Sequence, residues 1–155
     1  MGKMKLPIAV EKVVPHRSPM CLLRHVLKHD ADSTTCDVLI TPNSLFLEKG
    51  RVDAWVGLEY MAQAVAAHVG MAARKSREAP KIGFWLGTRR ANFFTDGFRT
   101  GQTLRVTVRP VWGEGRLFCF DGLVQDATNG RRLAAAQLNV YRPQNVKKLL
   151  KKGLK

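Results

Sequence analysis

A long apolar segment, residues 53–74, most constrains what this chain can fold into. It is rich in alanine and contains no proline, so it favours a long helix. Asp53 stands at the N-cap position, and Lys75 and Arg77 follow the last turn, where cations suit the helix dipole. The segment is apolar nearly all round, which is typical of a helix that is buried on every side. We therefore expect a sheet to wrap around this helix.

The same segment is long enough to cross a bilayer, because about 20 apolar residues suffice. Glu59, Gln63 and His68 lie inside it, however, and polar groups of this kind are costly in lipid. We therefore expect a globular protein without stable membrane insertion. The apolar run from Leu6 to Val10 is too short for the core of a signal peptide, so the chain is expected in the cytoplasm.

The region after this helix has the pattern of antiparallel strands. Leu104, Val106 and Val108 alternate with polar residues, which predicts one buried face and one wet, basic face. The predicted strands are residues 82–88, 103–111, 116–125 and 131–141, with turns at 97–101, 113–115 and 129–130. One long helix followed by a run of antiparallel strands indicates an α+β fold.

The region before the helix is less regular. Residues 13–40 predict a short helix or turn followed by two strands. Residues 41–51 predict a loop whose apolar tip, Leu45 to Leu47, is buried. The length of 155 residues fits one domain, predicted over residues 1–143, and residues 144–155 form a separate basic tail. The tail is expected to be an amphipathic helix or a frayed terminus.

The charge of the chain predicts a polyanionic partner. It has 26 Lys and Arg against 12 Asp and Glu, which gives a net charge of +14. Nucleic acid, an anionic membrane and an acidic protein all qualify. Most aromatic residues fall in β runs predicted as core, which disfavours nucleic acid as the partner. These residues are Phe84, Trp85, Phe93, Phe94, Phe118 and Phe120.

Neither a metal nor a cofactor is predicted. Cys21, Cys36 and Cys119 have no paired spacing and are expected to be small buried hydrophobes. No pair of histidines shares a helix face with a carboxylate. Gly113 and Gly115 flank a predicted hairpin turn and do not form a phosphate-binding loop.

Glu59 is the most informative polar residue, because it lies in the middle of an apolar helix without a local cation. A carboxyl group in such surroundings is a candidate proton donor. Gln63, one turn later, is placed to donate a hydrogen bond to that carboxyl and orient it. The alternative interpretation is a glutamate that reaches a backbone group or the rim of the helix.

His16 lies between Pro15 and Pro19, in a segment whose rigidity suits a catalytic imidazole. The alternative is a histidine that fixes a turn through a backbone hydrogen bond.

The other three histidines are predicted to have structural or solvent-exposed positions. His68 follows Glu59 by about two and a half helical turns, so it faces the opposite side and is expected to pack in the core or at an interface. His25 and His29 lie beside charged residues and are predicted to be solvated.

The segment Pro15-His16-Arg17-Ser18-Pro19-Met20 and the helix fragment Leu58-Glu59-Tyr60-Met61-Ala62-Gln63 resemble hotdog-fold 3-hydroxyacyl-[acyl carrier protein] dehydratases. The resemblance covers roughly residues 13–142 and is closest to the type found in aryl-polyene pathways. It implies a hotdog fold, in which a curved antiparallel sheet wraps a long helix. It also implies a dimer of like or unlike hotdog subunits with the acyl tunnel at their interface.

The resemblance also implies a site. In that family a histidine removes the α-proton of a 3-hydroxyacyl thioester, and a carboxylic acid protonates the departing hydroxyl group. Backbone N–H groups at the helix start polarise the thioester carbonyl. Glu59 matches the acid, the helix start lies at Ala54 and Trp55, and Gln63 is assigned with them to substrate binding. The positive charge matches an acidic acyl carrier protein.

One departure from the family concerns the base. The usual catalytic histidine comes from the loop before the helix, where this chain has Leu45. His16 is then the candidate base, and the resemblance implies that the chain dehydrates 3-hydroxyacyl thioesters in fatty-acid, polyketide or aryl-polyene biosynthesis. Two alternatives remain open: a non-catalytic hotdog subunit that supports a catalytic sibling, and an acyl thioesterase.

Overall fold

The computed structural model describes residues 4–77 and 83–143, which form one long helix and two antiparallel sheets. The helix, α1, spans Gly57–Lys75. The strands are β1 (Ile8–Ala9), β2 (His25–His29), β3 (Thr34–Leu39), β4 (Leu47–Glu48), β5 (Arg51–Asp53), β6 (Phe84–Phe93), β7 (Gly97–Arg99), β8 (Thr103–Glu114), β9 (Leu117–Asp126) and β10 (Arg132–Tyr141).

The large sheet has the strand order β1-β2-β3-β8-β9-β10-β6, and a small sheet has the order β4-β5-β7. All neighbouring strands are antiparallel. The predicted hairpins form at Gly115 and Gly130, both in the left-handed backbone conformation that glycine tolerates. The α+β plan is confirmed, with the long helix packed against a large antiparallel sheet.

Small residues let the helix and the sheet approach closely, as the sequence predicted. Met61, Ala64 and Met71 of α1 are fully buried. A side chain on Gly122 of β9 would come within 2.6 Å of the Met61 sulfur, so glycine at this position lets Met61 pack directly against the strand. On the facing strands, Leu104, Val106 and Val108 have no exposed surface, which confirms the predicted alternation.

The start of the helix differs from the prediction. Residues 54–56 form a 3-10 turn, and the α-helix begins at Gly57. Asp53 makes no capping hydrogen bond, and its carboxylate lies 3.2 Å from Arg51 instead. The strand β5 ends at Asp53, and the 3-10 turn begins at the next residue. Pairing of Asp53 with β7, rather than a capping hydrogen bond, therefore determines where the helical segment begins.

Residues 41–51 also differ from the predicted loop with a buried tip. They contain β4 and the first residue of β5, and Phe46 is 45% exposed with its ring 6.2 Å from the ring of Trp55. The predicted turn at 97–101 includes β7, which completes the small sheet. Short strands of this kind depend on pairing between distant segments, which local patterns do not reveal.

Three aromatic residues predicted as core are exposed instead. Trp85, Phe93 and Phe94 are 39%, 40% and 45% exposed. They lie on or directly after β6, which is an edge strand of the large sheet. The strand pattern predicted that these rings are buried. They are exposed because no strand of the described chain covers the outer side of β6.

His29 was predicted to be solvated, but it is half-buried and belongs to a hydrogen-bonded row with the buried residues Thr34 and His68. Its Nδ1 atom lies 2.7 Å from Thr34 Oγ1, and the same hydroxyl lies 2.7 Å from His68 Nδ1. Burial lowers the pKa of both imidazoles. His68 packs in the core, as predicted, with its ring against Phe120 of the large sheet.

The thiols are free in the described residues, and Cys36 and Cys119 are buried as expected. Burial raises the pKa of Cys36 to about 12, which keeps that thiol protonated. No helix in residues 4–77 and 83–143 is long and apolar enough to cross a membrane. The predicted tail, residues 144–155, lies outside the described residues, and so does residue 82, where the first strand after the helix was predicted to begin.

Candidate active site

A cavity of about 130 Å³ lies between one face of α1 and the ends of β6 and β10. Glu59 lines it from the helix, and His16 lines it from the segment that precedes β2. The two residues predicted to perform acid–base chemistry therefore share one cavity, although they are 43 positions apart in the sequence. The remaining lining is mostly apolar: Ala62, Val65, Ala66, Val69, Gly83, Trp85, Val140 and Arg142.

Glu59 is half-buried, and its carboxylate is held by the residue one turn later. Gln63 Nε2 donates a hydrogen bond to Glu59 Oε1 at 3.0 Å, as the spacing predicted. The second amide hydrogen of Gln63 is directed to the carbonyl oxygen of Met20 at 2.7 Å. Gln63 Oε1 accepts a hydrogen bond from Leu22 N–H at 2.8 Å. The carboxyl group is thus oriented toward the cavity by a fully buried amide.

The polar atoms of Gln63 are all engaged by Glu59, Met20 and Leu22. The structure supports a positioning role for this amide, and direct contact between Gln63 and a substrate stays a prediction. The same amide joins α1 to the chain that follows His16, so it fixes both sides of the cavity relative to each other.

The backbone of His16 is fixed by hydrogen bonds from the neighbouring Arg17, and not by a hydrogen bond from the His16 Nδ1 atom. The Arg17 guanidinium donates hydrogen bonds to the carbonyl oxygens of Glu11, Val14 and His16 at 3.1, 2.8 and 2.9 Å, which closes the turn. The His16 Nδ1 atom is buried and has no hydrogen-bond partner among the described residues. A buried ring nitrogen without a partner is available to bind or move a proton.

The packing of α1 against the preceding segment also positions His16. A side chain on Gly70 would overlap the carbonyl oxygen of Val13, so only glycine allows this approach. Val13 and Val14 are buried directly before the turn that carries His16.

At the helix start, the expected role of Ala54 needs correction. Its backbone N–H donates to the carbonyl oxygen of Asp96 at 3.0 Å and is therefore not available to a thioester. Trp55 remains a candidate, because the first turn of a helix leaves N–H groups without intrahelical partners. Its indole side chain is 57% exposed.

Leu45 lies in a different cavity, of about 230 Å³, together with Cys21 and Tyr60. No histidine is among the residues that line this cavity in the described chain. Burial raises the pKa of both the Cys21 thiol and the Tyr60 hydroxyl, so neither is an activated nucleophile or base here.

Two residues of the first cavity, Trp85 and Arg142, were not predicted as site residues from the sequence. The Trp85 indole donates to Gly87 O at 2.9 Å and lies 3.1 Å from Thr88 Oγ1, which fixes the ring. Arg142 lines the same cavity as Glu59, and its guanidinium lies 5.7 Å from the Phe118 ring centroid. Both residues reach the cavity through the pairing of Val140 with Trp85, which local sequence does not specify.

The described residues contain no group of three or more His, Cys, Asp or Glu side chains that would hold a metal ion. The polar side chains that line the cavity in the described chain are His16, Glu59, Trp85 and Arg142.

Comparisons with known proteins identify the family and agree with the fold. The family model of the ApeP-like proteins, described as ApeP dehydratase, matches residues 8–151. The structure of the dehydratase heterocomplex ApeI:P from Xenorhabdus doucetiae superposes with a TM-score of 0.87 and 28% identity, over 97% of this chain and 99% of that chain. No curated protein sequence matches the chain.

More distant structures share the fold alone. A hypothetical thioesterase with coenzyme A from Streptococcus pneumoniae has a TM-score of 0.59 and 13% identity, over 76% of this chain and 84% of that chain. Zebra fish thioesterase superfamily member 2 has a TM-score of 0.63 and 11% identity, over 83% and 88%. Since the family model spans most of the chain and the first structure matches it over nearly its full length, the chain belongs to the ApeP-like dehydratase family.

Proposed function

We propose that this dehydratase eliminates water from 3-hydroxyacyl thioesters, with His16 as the base and Glu59 as the acid. The observation that carries this assignment is the single cavity lined by both residues. The unpartnered His16 Nδ1 atom and the amide-held Glu59 carboxyl group support it. Imidazole and carboxyl side chains are the usual partners in general acid–base catalysis.

The reaction is a β-elimination in this proposal. His16 accepts the proton from the carbon next to the thioester carbonyl, and the electron pair of that C–H bond forms the new carbon–carbon double bond. The C–O bond of the 3-hydroxyl group breaks, and the protonated Glu59 supplies the proton that completes the departing water. Gln63 keeps the carboxyl group aimed at the hydroxyl, which reduces the entropic cost of the step.

The walls of the cavity fit an acyl chain. Ala62, Val65 and Val69 offer an apolar helix face, and the fixed Trp85 indole lies on the sheet side. Family membership supports an acyl chain of the aryl-polyene type as substrate. The net charge of +14 supports delivery by an acidic acyl carrier protein.

The unpaired edge of β6 supports a second hotdog subunit as partner. β6 is ten residues long and, within residues 4–77 and 83–143, is paired on one side only, by β10. Exposed Trp85, Leu86 and Phe93 add apolar surface to this edge. We propose that β6 pairs with the corresponding strand of another hotdog subunit, as a like or unlike dimer; the similar ApeI:P structure is a heterocomplex. The free thiols of the described residues support the cytoplasm as the compartment.

A second candidate function is a supporting subunit without catalytic groups of its own. Leu45 favours it, because the position that carries the family's usual base holds an apolar side chain here. In that case a catalytic sibling supplies the histidine across the interface.

Mixing experiments separate the two candidates. Turnover of a 3-hydroxyacyl thioester is followed by the absorbance of the conjugated double bond, with the chain alone, the sibling hotdog subunit alone and both together. Our proposal predicts that turnover in any active sample that contains this chain depends on its Glu59. Full activity of a mixture that contains the Glu59→Gln variant would favour the supporting role.

A further inference from the structure

The face of the large sheet that points away from α1 carries a basic groove of about 520 Å³. Arg90, Arg109 and Arg132 line the groove, and all three are exposed. Its floor includes small residues such as Ala135, and Asp121 is the one acidic residue in its lining in the described chain. The groove therefore presents a concentrated positive charge on an otherwise open sheet face.

A β-bulge places Arg90 in this groove. The pairing of β10 with β6 shifts between Ala135 and Gln137, and Arg90 adopts a left-handed backbone with a φ of 52°. Bulges re-aim side chains, and this conformation is unfavourable for a residue with a side chain. Among the described residues, Arg90 and Arg109 form no salt bridge. Their charges remain available to an external partner.

An apolar patch adjoins the groove on the same face. Trp112 and Leu117 are 51% and 44% exposed. Trp112 lies opposite Cys119 in the sheet, and Leu117 lies opposite Tyr141. Phe120 of β9 contacts the His68 ring on the helix side of the sheet. Leu117 and Cys119 alternate with Phe120 along β9 and therefore face outward, as does Trp112, which is paired with Cys119. An exposed tryptophan beside a leucine is typical of a protein contact surface.

This outer surface ends where the candidate active site opens. Val140 and Arg142 line the catalytic cavity, and Tyr141 between them belongs to the outer face. The end of β10 is thus the rim shared by the outer face and the cavity. A flexible arm from a protein bound to the outer face would reach the cavity over this strand end.

We infer that the groove and the adjoining patch form the docking surface for an acidic amphipathic helix of the carrier protein. This inference rests on the proposed function for the identity of the partner. Carboxylates of the helix meet Arg90, Arg109 and Arg132, and its apolar residues meet Trp112 and Leu117. The chain's own tail does not suit this surface, because residues 144–155 carry five lysines and no acidic residue. A second copy of the same basic face is unsuitable for the same reason.

The test measures binding of apo acyl carrier protein, which lacks the phosphopantetheine arm, to the full-length chain by calorimetry at two salt concentrations. We expect Arg109→Glu and Trp112→Ser each to raise Kd by about tenfold. The control Arg99→Glu makes the same charge change on β7 of the small sheet, where Arg99 is exposed, and should raise Kd by less than about twofold. Thermal unfolding checks that each variant is folded.

Equal weakening by Arg109→Glu and Arg99→Glu would overturn the inference, because it would show attraction by net charge alone. Tighter binding of single-stranded RNA than of carrier protein at physiological salt would also overturn it. Turnover of a soluble pantetheine thioester by the wild type tests the proposed reaction separately. Site-specific binding without such turnover would contradict the proposed reaction and support the docking surface. Turnover without site-specific binding would support the reaction and contradict the docking surface.

Discussion

At the scale of single residues, the buried Gln63 amide joins the acid of the proposed site to the chain that follows the base. Replacing it in the variant Gln63→Leu leaves Leu22 N–H and Met20 C=O without their partner. We expect the free energy of unfolding to fall by roughly 1–3 kcal/mol, because buried polar groups without hydrogen bonds are costly. Urea denaturation measures this change.

Gln137→Leu is the matched control. Gln137 is half-buried on the outer face of β10, and its side chain makes no hydrogen bond within the described residues. Stability should change little in this variant. If both substitutions lowered stability equally, the Gln63 network would not have the role assigned to it.

At the scale of elements, the close contact between α1 and the segment before His16 depends on Gly70. In Gly70→Ala the new methyl group overlaps the carbonyl oxygen of Val13, so the segment has to move. We expect a loss of stability of about 1–3 kcal/mol, typical of overpacking, together with lower turnover because His16 is displaced. Gly87→Ala is the control, since a side chain there meets open space. Normal turnover by Gly70→Ala would show that this packing does not position the base.

The row His29, Thr34 and His68 predicts a pH effect on stability. Burial lowers the pKa of both imidazoles below their ordinary value of 6.5. For His29, the nearby Asp30 raises the pKa and Lys75 lowers it, and both effects are smaller than that of burial. As the pH falls through about 6.5, the unfolded chain takes up protons that the folded chain resists, so folding loses stability.

We therefore expect the Tm to drop between pH 7.5 and pH 5.5, and to drop less in His68→Gln. Scanning calorimetry at the two pH values measures both changes. An equal drop in the variant and the wild type would assign the pH effect to other groups.

Particular elements show how far the sequence determines the structure. The central helix and the alternating strands were predictable because alanine content, absence of proline and period-two alternation are local signals. The bond between Gln63 and Glu59 was predictable from helical spacing. Trp85 and Arg142 were not, since the register of β6 against β10 brings them to the cavity. The engaged Ala54 N–H was also hidden, because its acceptor is Asp96, 42 positions away.

At the scale of the whole molecule, the exposed edge of β6 predicts association with another subunit. Leu86 is 60% exposed on this strand, and Leu86→Lys places a charge where the partner strand is expected. We expect a shift toward monomer, measured by light scattering after gel filtration. Leu39→Lys on β3 is the control, because Leu39 is also exposed but lies away from the β6 edge. Unchanged assembly of Leu86→Lys would place the interface elsewhere.

The measurement that tests the central claim most directly is turnover of a 3-hydroxyacyl thioester on carrier protein by wild type, His16→Ala and Glu59→Gln, with the sibling subunit present if activity requires it. The new conjugated double bond is followed by absorbance. The shared cavity predicts that both variants lose activity by at least about a hundredfold while remaining folded. Wild-type rates in either folded variant would contradict the assignment of His16 and Glu59 as the acid–base pair.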